Sequence, residues 1–112
     1  MKMKISLLTA TLLISIVSLA QTTSKISGTI IDGGDQKIID AATISLLKAK
    51  DSSLVKLSLT DKEGQFSFEN VKNGNYLIMA SSIGHRRVYS SPVAITEGSN
   101  ASVGTLKLLA QA

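Results

Sequence analysis

The chain of 112 residues contains no cysteine and no tryptophan, only one proline, and two residues each of tyrosine and phenylalanine. Without cysteine it can form no disulfide framework, no cysteine-ligated zinc site and no thiol nucleophile. So few aromatic rings leave little material for a stacking platform that would bind bases or sugars. The length is sufficient for one domain only.

Charge is also sparse, since 18% of the residues are charged and 44% are apolar. This composition is typical of a folded chain and argues against disorder. The net charge is +4, and Lys2 and Lys4 in the N-terminal segment supply two of these charges. Arg86-Arg87 is the one basic pair, and no longer basic run exists. We therefore expect no nucleic-acid partner.

The first twenty residues have the pattern of a secretory signal peptide. Lys2 and Lys4 precede an uncharged stretch, residues 5–19, and small residues occupy the −3 and −1 positions of a cut between Ala20 and Gln21. A membrane anchor is the alternative, but the stretch is short and contains several serines and threonines. We expect an exported protein of the periplasm or outer membrane, with no transmembrane helix in the mature chain. Export without cysteine favours a bacterial envelope.

After a polar lead-in, residues 21–24, apolar residues recur with a period near two, and no segment keeps a period of 3.6. Turn signals about every 10 residues separate short strands, which predicts an all-β, seven-stranded antiparallel β-sandwich with apolar inward positions. The alternative of a short helix over residues 38–47 is disfavoured by its β-branched residues. The predicted strands span residues 25–32, 41–49, 54–60, 65–69, 74–83, 86–96 and 103–109.

Turn residues and apolar patterns predict how some of these strands are arranged. Residues 61–64 (DKEG) predict a tight hairpin, and the residues at 73–74 (NG) predict a second turn. The strand at 74–83 is apolar on both faces, so we place it centrally; Gly84 ends it. Pro92 confines residues 86–96 to an edge, because proline cannot donate a ladder hydrogen bond.

Six segments in order resemble the carboxypeptidase regulatory-like domain: residues 26–32 (ISGTIID), 42–46 (ATISL), 51–56 (DSSLVK), 60–68 (TDKEGQFSF), 71–77 (VKNGNYL) and 82–85 (SIGH). That family has a transthyretin-like sandwich within the carbohydrate-binding-like folds. The resemblance covers nearly all of the chain past the lead-in, which we take as one domain over 25–112. The residues that carry its motif are Asp61, Gly64, Phe66, Phe68, Gly74, Tyr76 and Gly84.

More narrowly, the chain resembles the copy of this domain at the N terminus of TonB-dependent outer-membrane receptors of Bacteroidetes-type bacteria. That resemblance implies a non-catalytic accessory module, truncated or stand-alone, that docks against a receptor barrel, a lipoprotein or another envelope protein. Surface complementarity or strand addition at an open edge would provide the contact. A periplasmic carbohydrate-binding module with a weak glycan ligand is the alternative. We expect no cofactor.

Candidate ligand-binding residues are few: His85, Arg86, Arg87 and Tyr89. His85 is the single histidine and has no acid within three residues, so the sequence predicts no metal site and no catalytic nucleophile pair. Residues 32–35 (DGGD) favour a solvated turn over a calcium site, because the EF-hand spacing is absent. The remaining carboxylates lie at strand ends or on polar faces, so we expect no catalytic residue and no enzymatic activity.

Overall fold

A computed structural model describes residues 24–111, which form eight β-strands and no helix. The predicted signal peptide and its cleavage site between Ala20 and Gln21 lie outside the described residues. Within 24–111 there is no helix of the length and hydropathy that a membrane span needs. The strands are β1 (Lys25–Asp32), β2 (Thr43–Lys48), β3 (Leu54–Leu59), β4 (Gln65–Glu69), β5 (Gly74–Ser81), β6 (Val88–Tyr89), β7 (Val93–Ile95) and β8 (Asn100–Leu108).

Two sheets form a sandwich, which confirms the predicted all-β class. The small sheet has the order β4-β1-β8; the large sheet has the order β3-β2-β5-β6, with β7 also paired to β5. The strand at 74–83 was predicted to be central, and β5 does lie between β2 and the edge strands. The purely antiparallel prediction was wrong for one pair, because β1 and β8 run parallel. The last strand returns beside the first after the chain has built the large sheet, and no local sequence signal marks such a pairing.

The predicted number of seven strands was also wrong, because the segment around Pro92 forms two strands and the total is eight. β6 pairs with Met79 and Ala80, and β7 pairs with the beginning of β5. Between them the Ser90 hydroxyl accepts a hydrogen bond from the Ile78 N–H at 3.0 Å and so replaces a backbone partner. Pro92 follows and has no N–H to donate. Its predicted position at a sheet edge is confirmed.

The turn predicted as a hairpin at residues 61–64 is tight, but it does not join paired strands. β3 pairs with β2 and β4 pairs with β1, so this turn carries the chain from one sheet to the other. The Asp61 carboxylate accepts the N–H groups of Glu63 and Gln65, each at 2.9 Å. Gly64 adopts a φ of 75°, a left-handed conformation that favours glycine.

The core lies between the two sheets and includes both phenylalanines, as predicted. Phe66 and Phe68 are buried with their rings edge to face at a centroid distance of 6.0 Å. Tyr76 is also buried, and its hydroxyl donates a 2.6 Å hydrogen bond to the Lys72 carbonyl. The largest fully buried side chains are Ile26, Ile30, Ile44, Leu46, Ile78 and Leu108.

The edge strand β3 departs from the expectation that its apolar side chains point inward. Leu57 and Leu59 are 61% and 63% exposed, whereas Lys56 is half-buried. The Lys56 ammonium donates to the backbone carbonyls of Glu69 and Asn70 at the end of β4. A strand at a sheet edge meets little of the opposite sheet, and here its inward positions meet polar carbonyls that a lysine can satisfy.

Candidate interaction surfaces

His85 is paired with an aspartate that is distant in sequence. Its Nε2 lies 2.8 Å from Oδ2 of Asp32 at the end of β1. Its Nδ1 lies 3.1 Å from the Ile83 carbonyl oxygen. The backbone holds the histidine there, because residue 85 forms an isolated antiparallel bridge with Ala110. The sequence did not reveal Asp32 as a partner, since 53 residues separate the pair.

Both ring nitrogens of His85 face acceptors, so only the doubly protonated ring donates to both of them. The hydrogen bond to Asp32, followed by that to the Ile83 carbonyl, raises the pKa of His85 above its ordinary 6.5. The same hydrogen bond from His85, with smaller contributions from the N–H groups of Gly34 and Asp35, lowers the pKa of Asp32 below 3.8. The side chains are 18% and 24% exposed, so solvent screens the pair in part.

These shifts predict a pH-dependent contribution to stability from the His85–Asp32 pair. The stabilisation linked to the raised pKa of His85 is present below pH 6.5 and is lost as the pH rises through the raised pKa. The stabilisation linked to the lowered pKa of Asp32 is present above pH 3.8 and is lost as the pH falls through the lowered pKa. His85→Gln is therefore expected to destabilise the protein more at pH 5 than at pH 9, as measured by urea unfolding. A stability difference between the two proteins that stays constant with pH would contradict the pairing.

The other predicted ligand-surface residues do not converge on His85. Arg86 and Arg87 are exposed beside it, and the Arg86 N–H donates to the Leu109 carbonyl. Tyr89 is half-exposed on β6, and its side chain lies on the outer face of the large sheet, opposite Met79. Tyr76, the remaining tyrosine, is buried. The described residues therefore offer no group of rings that could stack on one sugar.

Several aspartate carboxylates accept hydrogen bonds from backbone N–H groups in turns. Asp32 accepts the N–H groups of Gly34 and Asp35, and Asp35 accepts the N–H of Lys37. Asp51 likewise accepts the Ser53 N–H; the hydrogen bond from the Ser53 side chain, followed by that from its N–H, lowers the pKa of the Asp51 carboxyl. Among residues 24–111 no three histidine, cysteine, aspartate or glutamate side chains are grouped so that they could hold a metal ion.

The outer face of the small sheet is polar and forms a shallow depression of about 540 Å³. In its centre Ser27 lies between Ser67 and Ser102, and the next row places Thr29 between two further polar residues. Hydroxyl groups dominate this surface. Phe66, which borders the depression, points into the core.

The outer face of the large sheet is apolar, in contrast to the small sheet. Leu57, Ser45 and Met79 form one cross-strand row that continues to Tyr89. Ser45 is only 4% exposed, because larger side chains surround it. We call this surface the apolar face; its members are Leu54, Val55, Leu57, Leu59, Leu77, Met79 and Tyr89.

Comparison with protein families matches residues 25–109 to the carboxypeptidase regulatory-like domain. The chain belongs to this family. The match confirms the resemblance carried by the turn-and-phenylalanine motif of residues 60–68. A sequence comparison with curated proteins found no match.

Solved structures share the fold of this carboxypeptidase regulatory-like domain at low sequence identity. The Bacillus anthracis TIE protein has a TM-score of 0.65 and 13% identity over 97% of this chain. A D312A form of BcpA, the major pilin subunit of Bacillus cereus, has a TM-score of 0.58 and 17% identity over 83% of this chain. Catechol 1,2-dioxygenase from Acinetobacter sp. ADP1 has a TM-score of 0.58 and 14% identity over 82% of this chain. The chain spans 20%, 31% and 54% of these proteins, and the similarity shows the fold alone.

Proposed function

We propose that this carboxypeptidase regulatory-like domain is an exported, non-catalytic docking module of the bacterial envelope. The observation that carries the proposal is the apolar face, on which Leu54, Leu57 and Leu59 are each more than half exposed. Large contiguous apolar patches on soluble domains are typical of protein interaction sites. No strand of residues 24–111 pairs with the outer edge of β3, which borders the same face and offers a second means of contact by strand addition.

The non-catalytic part of the proposal rests on how His85 is bonded. A histidine that acts as a general base needs a ring nitrogen free to take a proton from the reacting group. In this chain Asp32 occupies one nitrogen and the Ile83 carbonyl the other. The ring is thus bonded to a carboxylate and to a carbonyl rather than directed at a nucleophile.

Within this proposal, the docking module is more narrowly an accessory domain of a TonB-dependent outer-membrane receptor, and its partner is the receptor barrel or a lipoprotein. Two sequence features support it: the resemblance of residues 25–109 to the receptor-attached copies and the signal-peptide pattern that ends at Ala20. Export would place the apolar face in the periplasm, where an envelope protein could cover it.

Site-specific photocrosslinking tests this function. A benzophenone amino acid replaces Leu57 on the apolar face, and in a matched control it replaces Ser67 on the polar face of the small sheet. In bacteria that make the full chain, we expect position 57 to crosslink to an envelope protein, either a receptor or lipoprotein or a second copy of the domain, identified by mass spectrometry, and position 67 to give little product. The same spectra should show a mature N terminus at Gln21. Equal crosslinking from both positions would contradict a docking role for the apolar face.

A carbohydrate-binding module is the second candidate, and the hydroxyl-lined depression on the small sheet favours it. Its weakness is that protein–sugar stacking needs an exposed ring, and Tyr89 lies on the opposite sheet. Glycan-array binding that is lost in Ser67→Lys and retained in Leu57→Lys would support this candidate over docking.

A further inference from the structure

The apolar face carries no charge at any outward position of the four strands that form it. The outward residues are threonine, serine and leucine on β2; leucine and valine on β3; asparagine, leucine, methionine and serine on β5; and tyrosine on β6. The single lysine within β3, Lys56, points to the other side and donates to the backbone carbonyls of Glu69 and Asn70. A surface without charge meets an identical surface with no like-charge repulsion.

The size of the apolar face matches the needs of a dimer. Leu54, Leu57 and Leu59 are 57%, 61% and 63% exposed, Val55 is 38% exposed, and Tyr89 is 50% exposed. Together these side chains present on the order of 500 Å² of surface, near the upper end of the largest apolar patches of typical monomers. Each partner in a standard interface buries about 800 Å², of which a little over half is apolar. The face therefore supplies the apolar part of one full interface.

We propose that the apolar face binds the apolar face of a second copy of this chain. The two large sheets then pack face to face about a two-fold axis, as the sheets of a sandwich do, and each copy contributes the same residues. This inference rests on the proposed docking function and names the partner of the docking surface. A receptor that carries the domain would thereby be joined to a second receptor, or to a free copy of the domain.

The bulge in β3 helps to build this self-complementary surface. The pairing of β2 with β3 shifts between Leu46 and Leu47, so that Leu46 lies opposite Lys56 and Leu47 opposite Leu54. Val55 is the extra residue, and both it and Leu54 are exposed. Without the shift, strict alternation would place only one of these two side chains on the outer face.

Sedimentation equilibrium of the full chain, purified after processing by a bacterial host, tests the proposal. We expect a dimer at tens of micromolar, and at least a tenfold weaker association for Leu57→Lys and for Leu59→Lys. Both sites are more than half exposed, so the variants should keep the circular dichroism spectrum and melting behaviour of the folded domain. Ser67→Lys, which adds the same charge to the exposed face of β4, is the matched control and should still dimerise.

A second measurement does not depend on adding charge. The chain has no cysteine, so Thr43→Cys creates a single exposed thiol beside Leu59 at one end of the apolar face, and Ser67→Cys creates one on the small sheet. A short bis-maleimide should link the first variant, but not the second, into covalent dimers at low micromolar concentration.

A monomer at all concentrations up to about 200 μM would overturn the dimer, as would a dimer that Ser67→Lys weakens and Leu57→Lys leaves unchanged. These failures can be told apart from failure of the docking function. If position 57 crosslinks to a different envelope protein while the chain stays monomeric, the dimer is wrong and the docking function stands. If neither a copy nor another protein contacts position 57, both are wrong.

Discussion

Phe66→Ala is expected to lower the free energy of unfolding by about 3–5 kcal/mol, the range for removing a buried aromatic ring from a core. The ring is 4% exposed and meets Phe68 edge to face. It also covers Gly28 so closely that an added Cβ there would lie 2.7 Å from two ring atoms. The structure can refill this space only partly, because backbone of β1 forms one of its walls.

Urea unfolding followed by circular dichroism measures this effect. Phe66→Leu is the matched control, since it keeps most of the apolar volume and should cost clearly less than the alanine variant. Small domains have total stabilities of about 5–15 kcal/mol, so the alanine variant should be close to unfolding at 37 °C. A loss below about 1.5 kcal/mol for Phe66→Ala would show that the ring is not packed as the structure describes.

Gly64→Ala is expected to have the second largest effect, about 2–4 kcal/mol, because it combines backbone strain with a steric clash. Gly64 has a φ of 75°, and an added Cβ would lie 2.8 Å from the Ile30 carbonyl oxygen and 3.0 Å from Cβ of Ile38. The turn cannot simply move away, since the Gly64 carbonyl accepts the Ile30 N–H at 2.8 Å.

Gly104 provides a control that separates the two causes. Its φ is 73°, nearly that of Gly64, but an added Cβ would meet nothing within 4 Å. Gly104→Ala should therefore show the strain of a left-handed residue alone, about 1–2 kcal/mol. Equal losses for the two alanine variants in urea unfolding would mean that the close approach to Ile30 and Ile38 has no energetic cost.

The sequence predicted the features that depend on neighbouring residues. Alternation of Phe66 and Phe68 with polar residues predicted a strand with its rings inward, and both rings are buried. The turn at residues 61–64 and the break at Gly84 followed from glycine and aspartate chemistry, which acts over a few residues. Predictions that depended on which strands are neighbours in a sheet were less accurate. The turn at residues 61–64 was predicted to be a hairpin, but β3 and β4 lie in different sheets.

The candidate surfaces also depend on which distant segments of the chain become neighbours. His85 has no nearby acid in the sequence, yet the fold brings Asp32 to within 2.8 Å of it. The alternation within β3 shows that Val55, Leu57 and Leu59 share a face, but it does not show which face is buried. The position of β3 at the sheet edge decides this, and the apolar side is the exposed one.

The amino-acid sequence by itself thus determined the all-β class, most strand and turn positions, and the family, because period-two hydrophobicity and turn residues act locally. Only the tertiary structure decided the parallel pairing of β1 with β8, the His85–Asp32 contact and the outward orientation of the β3 leucines. Each of these is set by which distant segments become neighbours. A strand presents the same alternating pattern whichever of its two sides the opposite sheet covers.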